Sequence, residues 1–373
     1  MTTDVEIAVV GAGLMGSATA WAASRRGRSV ALLEQFAIGH AHGSSHGSAR
    51  IVRRAYHEPH YVRLTGRAMV LWRELEVDAD QRLLRITGGV DHGPVRAPER
   101  IAATLAECGV EHELLPPAEA ERRWPGLRFA GPVLHHPEAG TVDADAAVAA
   151  FTTLAERRGA EVRAETPVRR IVVEGAERVR VETDAGPLTA RRVVVAAGAW
   201  VAGLLGDLVP LPPLTVTQQQ IFHFPRRDPA ASERWPVIIH DEADLAVYSL
   251  PGGRDGGPGG GWKAAAHRGG VTTAETRDGV VDPAVRAGMV DYVRSWLPGL
   301  TPEPFNEATC LYTSTPSEDF LLDRVGPVVV CSPCSGHGAK FAPLIGEVAA
   351  DLAAGLVGPD RRFTLAGHRA VVG

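Results

Sequence analysis

The chain has 373 residues, 45% hydrophobic and 22% charged, with a formal net charge of −5. That length exceeds an ordinary single domain, so two cores are expected. The mild acidity and the lack of a basic run argue against a nucleic-acid partner, and the longest apolar stretch (192–205) is too short to span a bilayer. Four cysteines make no disulfide framework. "MTTDVEIAVVGAG" at the start has no basic segment leading into a long apolar run, so no signal peptide is expected and a cytosolic setting is.

In chain order, "VEIAVV" (5–10) reads as a β-branched strand. "GAGLMG" (11–16) follows, then a helical stretch over 17–27 closed by Gly27. "SVALLE" (29–34) is the second strand. Gly11, Gly13 and Gly16 fit G-x-G-x-x-G between strand and helix. There the first glycine permits a tight turn, the second lets the backbone approach a pyrophosphate, and the third packs helix on strand. Glu34 is spaced to accept from the adenosine ribose hydroxyls, and its charge argues against a 2′-phosphate. A dinucleotide site is the expectation.

"GSSHGSARIVRR" (43–54) then gathers His46, Arg50, Arg53 and Arg54. Residues 83–140 and 209–305 are richer in proline and aromatics and alternate less between strand and helix. Between them, 143–159 reads as a helix, 160–174 as strands, 178–186 as a hairpin arm and 191–200 as a buried strand. "PGGRDGGPGGG" (251–261) is a mobile loop by composition. A strand and a glycine-containing loop over 325–340 lead into a helix over 341–356. Three α/β segments are expected to assemble one nucleotide-binding domain, with two insertions forming a second.

Of the 39 lysines and arginines only Lys263 and Lys340 are lysine. A compact, strongly hydrated ammonium at two sites of an arginine-dominated chain points to two specific tasks. "CSPC" places Cys331 and Cys334 at C-x-x-C spacing, but at a strand-to-loop turn, not at the head of a thioredoxin-like helix. Packed thiols are expected, and no metal site is.

Several blocks carry a family resemblance. "GSSHGSARIVRRAYHEPHYVRL" (43–64) resembles the loop that runs over the flavin in the monomeric sarcosine oxidase and N-methyltryptophan oxidase family, G-S-x-H-G-x-x-R-I-x-R. "CLYTSTPSEDFLLD" (310–323) looks like that family's segment bearing the flavin-linked cysteine, and "SGHGAKF" (335–341) is similar to its S-G-H-G-F-K-F. "WKAAAH" (262–267) and "VVVAAGAW" (193–200) match as well.

The resemblance implies an α/β fold: a Rossmann-like FAD-binding domain (1–82, 141–208, 310–373) with an inserted α+β substrate domain (83–140, 209–309), in D-amino-acid-oxidase-like architecture. It implies FAD bonded through its 8α position to the Cys310 sulfur. Ser44, His46, Arg50, Val168, Gly336, Gly338 and Lys340 join the glycine motif and Glu34 as cofactor contacts.

Arg53 and Lys340 would hold a substrate carboxylate, Lys263 would sit at the flavin N5 edge to assist O2, and His46, Tyr248 and His267 would complete the catalytic set. The expected activity is oxidation of a secondary amine or N-methyl amino acid to an imine with release of H2O2, by a monomer with no membrane partner. A cyclic imino-acid oxidase, a biosynthetic tailoring amine oxidase and a non-catalytic flavin- or NAD-binding protein are the alternatives.

Overall fold

The computed structural model describes residues 3–257, 260–267 and 269–372. The first layer grows from β1 (Val5–Val10), α1 (Leu14–Arg25) and β2 (Val30–Leu33). β1 runs parallel to β2 and to the strand Gly186–Val195. Strands Glu161–Arg163 and Val328–Ser332 extend the parallel set on either side. Strands Val168–Gly175 and Arg178–Thr183 add an antiparallel meander, and Leu321–Val325 pairs antiparallel with Val328–Ser332, so this sheet has eight strands.

Parallel strands are buried on both faces, which explains continuous apolar runs such as Val193–Val195. α1 packs against the helices Ala144–Arg157 and Ala342–Ala354 on one face. The last approaches closely because a Cβ on Gly346 would lie 2.5 Å from the Ala18 backbone.

The second layer is a nine-stranded mixed sheet. Its long partners are Thr215–Phe224 and Asn306–Ser314, paired antiparallel over their whole lengths. Strands Trp262–Ala266, Ala246–Pro251 and Val237–Asp241 continue it to Gly89–His92. Trp235, Trp262, Phe222 and Phe224 build its core against the helix Pro283–Trp296. A three-stranded sheet of Arg50–Val52, Gly140–Val142 and Leu84–Ile86 lies beside these layers.

The expected α/β fold with a Rossmann-like first layer is present. The expected division between residues 309 and 310 falls inside the strand Asn306–Ser314, which pairs within the second sheet. Cys310 stands on that sheet, opposite Gln219. The pairing joins segments about ninety residues apart, and local pattern carries no record of such a register. The glycine-rich segment is built as a turn, Arg254–Gly256; its residues 258–259 lie outside the described ones.

Candidate active site

A cavity of about 750 Å³ opens between the two layers. Its floor is the carboxyl end of the parallel strands, where open α/β sheets place ligands. Gly11 adopts φ +96°, and a Cβ there would meet the Ala196 carbonyl at 2.6 Å. A Cβ on Gly16 would lie 1.7 Å from the Gly11 carbonyl, so this glycine serves packing and does not line the cavity. Gly13 caps α1 without a side-chain hydrogen bond, and the first turn of the helix carries no acid. The Leu14 amide donates to Ser45 Oγ at 3.0 Å, and with no acid in the first turn the helix N-terminus still favours an anion.

Glu34 is buried at the end of β2. Its Oε2 accepts from the Ala12 amide at 2.8 Å, and its Oε1 accepts from Phe36 at 3.0 Å and faces His40 Nε2 at 3.3 Å. Burial pushes the carboxyl upward, but these partners outweigh it and hold it below its usual range. A dinucleotide fits these residues: a turn too tight for side chains, a helix N-terminus without an acid and a fixed carboxylate.

Across the cavity the 43–56 segment turns back on itself. Ser44 Oγ donates to the Leu311 carbonyl, and Arg50 donates to the carbonyls of Ala49 at 3.0 Å, Ser44 at 3.3 Å and His46. Arg50, Ser44 and Val168 line the cavity; His46 does not. The buried His46 Nε2 has no partner among the described residues. Burial, aided by Arg50 and Lys263, pulls that imidazole down to about 4 and keeps it neutral.

One end of the cavity is cationic. Lys340, 6% exposed, donates to the Tyr56 hydroxyl at 3.1 Å and to the His337 carbonyl at 2.6 Å, both neutral partners. The Arg53 guanidinium lies over the Tyr56 ring, 4.5 Å from its centroid, and its buried Nη1 is unpartnered among the described residues. Burial lowers both cations and Arg96 adds to the positive field, while Asp91 and Asp241 favour the Arg53 charge. Two buried cations with neutral neighbours form a receptor for one anion. His267 is held neutral at about 4 by burial, then by Arg53 and Lys340.

Arg96 donates from Nε to Asp91 Oδ1 at 2.6 Å and from Nη2 to the Ala55 carbonyl at 3.2 Å. It thereby ties the strand Gly89–His92 to the segment carrying Arg53.

Lys263 enters from the strand Trp262–Ala266, 2% exposed, with Nζ donating to the Ala49 carbonyl at 3.2 Å. Burial and Arg50 lower its ammonium to about 7. Tyr248 and Tyr312 line the same wall, their hydroxyls 3.5 Å apart. Cys310 is buried and free, its thiol pushed up by burial. Cys331 and Cys334 also line the cavity as free thiols, and Cys334 Sγ accepts from the Thr313 amide at 3.4 Å. Gly336 at φ +72° lets the 335–341 segment pass Tyr312 and His267, where a Cβ would come within 2.7 Å.

The glycine motif, Glu34, the paired cations and the cavity-lining thiol decide the kinship. The model of the FAD-dependent oxidoreductase family matches residues 6–352. The chain belongs to that family. Monomeric sarcosine oxidase of Streptomyces avermitilis is 36% identical, over 95% of this chain and 94% of that protein. N-methyl-L-tryptophan oxidase of Citrobacter koseri is 28% identical, over 94% and 95%. Among solved structures, the open form of NikD, an unusual amino acid oxidase essential for nikkomycin biosynthesis, superposes with TM-score 0.85 at 27% identity, over 97% of this chain and 98% of that one.

Tyr56, Arg96 and Tyr312 were not expected from the sequence. Tyr312 had a signal: it lies two positions after Cys310 on a strand and so shares its face. Arg96 had none.

Proposed function

We propose that this FAD-dependent oxidoreductase oxidises the CH–NH bond of a secondary amine carried by a small amino acid, with O2 as electron acceptor. The observation that carries this reading is the pair of buried cations, Arg53 and Lys340, lining one cavity, with neutral groups as their direct contacts. A substrate carboxylate would dock there and answer both charges. The same positive field lowers an amine's pKa and favours the neutral amine, whose lone pair assists oxidation of the adjacent carbon. His267 stays neutral beside it and adds no further charge.

FAD, when bound, supplies the two-electron acceptance. Gly11 and Gly13 would receive its pyrophosphate and Glu34 its ribose. Cys310 would hold it covalently: the thiol is free, buried and lines the cavity. Lys263 would place a positive charge where O2 gains negative charge during reduction, in a site from which counter-ions are excluded. The imine leaves and hydrolyses to an aldehyde or ketone and an amine, and O2 becomes H2O2.

The enzyme is taken as a monomer of the cytosol, a reading that size-exclusion chromatography and fractionation test. A second reading, a cyclic imino-acid or tailoring oxidase, is supported by the NikD likeness. A panel of N-methyl, cyclic and larger amines assayed for peroxide distinguishes the two. No peroxide from any amine in air would refute the oxidase reading.

A further inference from the structure

The glycine-rich segment carries an acid that the mechanism above does not use. Asp255 sits in the turn Arg254–Gly256. Its Oδ1 accepts from the Ser48 amide at 3.2 Å and from the Ser48 hydroxyl, and its own amide donates to Ser48 Oγ at 2.9 Å. Arg254 clamps the turn from the other side, with Nε and Nη2 at 2.8 and 2.9 Å from the Asp143 carboxylate.

The glycines fit this seat. A Cβ on Gly253, at φ +69°, would lie 2.4 Å from Ser48 Oγ. One on Gly252 would lie 2.6 Å from the Gly261 carbonyl. The residue after Ser48 is Ala49, whose carbonyl accepts from Lys263. Asp255 and Lys263 therefore grip adjacent residues of one short turn.

We infer that Asp255 sets the charge state of Lys263 and, through it, the rate at which the reduced enzyme passes electrons to O2. This rests on the role given to Lys263 above. The buried ammonium has a neutral carbonyl as its hydrogen-bond acceptor, so its charge depends on the groups around it. Burial and the Arg50 guanidinium oppose the charge; Asp255 favours it, followed by Cys310 and Asp145.

Arg50 meets Asp255 at the same turn. A Cβ on Gly47 would lie 3.1 Å from Arg50 Nη1 and 3.0 Å from Asp255 Oδ2. Asp145 accepts from the Gly47 amide at 2.8 Å, and burial raises its carboxyl. The two nearby histidines, His46 and His223, are each held neutral at about 4, chiefly by burial. The buried Cys310 thiol is neutral. Asp255 is thus the counterweight to Arg50, and it acts as a positioning residue, through Lys263.

The two lysines make the test direct. Biosynthetic ¹³C labelling at lysine Cε gives two side-chain signals, assigned with Lys263→Met, and Lys340 serves as an internal measure of the fold. In Asp255→Asn, which keeps an oxygen acceptor for Ser48, the Lys263 titration midpoint falls by about one pH unit in both apo and FAD-loaded protein. The pH profile of reoxidation moves with it.

A Lys263 midpoint that stays put while the Lys340 signal is intact overturns the inference. Ser48→Ala, which removes the hydroxyl holding the carboxylate, provides an independent variant: a fall in the midpoint supports the coupling and no fall overturns it. A Lys263→Met enzyme that reoxidises at the wild-type rate refutes the oxygen role alone, since the Cε midpoint still decides the coupling.

Discussion

The Lys340 ammonium donates to the Tyr56 hydroxyl at 3.1 Å, while the Arg53 guanidinium covers the same ring at 4.5 Å. One tyrosine thus contacts two buried cations, and Arg53 still opposes the Lys340 charge. Burial pushes the Tyr56 hydroxyl up to about 12, so it remains neutral and can donate as well as accept. Among the described residues neither cation is ion-paired with an acid; Asp91 and Asp241 favour the Arg53 charge only through the field.

Replacing Lys340 or Arg53 by methionine is expected to lower kcat/KM for carboxylate-bearing amines by about 10- to 100-fold, the worth of a hydrogen bond to a charged group. Amines of similar size without a carboxylate should be much less affected. Steady-state assays on matched amine pairs check this; equal losses on both would remove the carboxylate assignment.

Acid precipitation of the loaded wild-type protein should leave a yellow pellet, and Cys310→Ser should leave a colourless pellet beneath a yellow supernatant. Under denaturing mass spectrometry the wild-type chain should carry the added mass of FAD and the variant should not. Wild-type protein whose colour passes entirely into the supernatant would show the cofactor to be free.

Lys263→Met should be reduced by substrate at close to the normal rate and reoxidised in air about 100- to 1,000-fold more slowly, as when an oriented charge is removed from a developing anion. Anaerobic stopped-flow followed by oxygen mixing separates the halves. Slow reduction with normal reoxidation would invert the assignment.

Lys263 also predicts a stability profile. Its ammonium is lowered to about 7 in the fold, against about 10.4 in an unfolded chain. Between those values the unfolded state binds more protons, so this group makes stability rise with pH from about 7 to about 10. The melting temperature of apo protein should show that rise, and Lys263→Met should flatten it while raising stability at neutral pH. An unchanged slope in the variant would mean that the lysine is charged throughout.

Gly16→Ala should yield protein unable to retain FAD, because the new methyl would lie 1.7 Å from the Gly11 carbonyl and open the turn. The absorbance ratio of flavin to protein reads this directly. Gly27→Ala is a milder control: its φ of +72° strains an alanine, but nothing lies within 4 Å.

The parts legible in the sequence were those whose chemistry is local. The glycine turn, the strand and helix flanking it and the acid closing β2 are set within 34 residues, and each glycine has a steric reason visible in the fold. The blocks around Arg53, Lys263, Cys310 and Lys340 became legible through family resemblance, and the cavity gathers all four.

His46 was expected in the site, yet it is not among the cavity-lining residues, although it lies in the field of Arg50 and Lys263, which are. The linkage of Asp91, Arg96 and the Ala55 carbonyl joins distant segments through side chains that carry no pattern. The sheet membership of Asn306–Ser314 was equally hidden, since it depends on a register with Thr215–Phe224.

That register has a mechanical consequence. The pyrophosphate turn belongs to the first layer and Cys310 to the second. If Cys310 holds the cofactor as proposed, the thioether would tie the second layer to a nucleotide seated on the first. Parting the layers and withdrawing the nucleotide would then be one event, and the fraction of chains carrying the bond would record how many had brought both layers together.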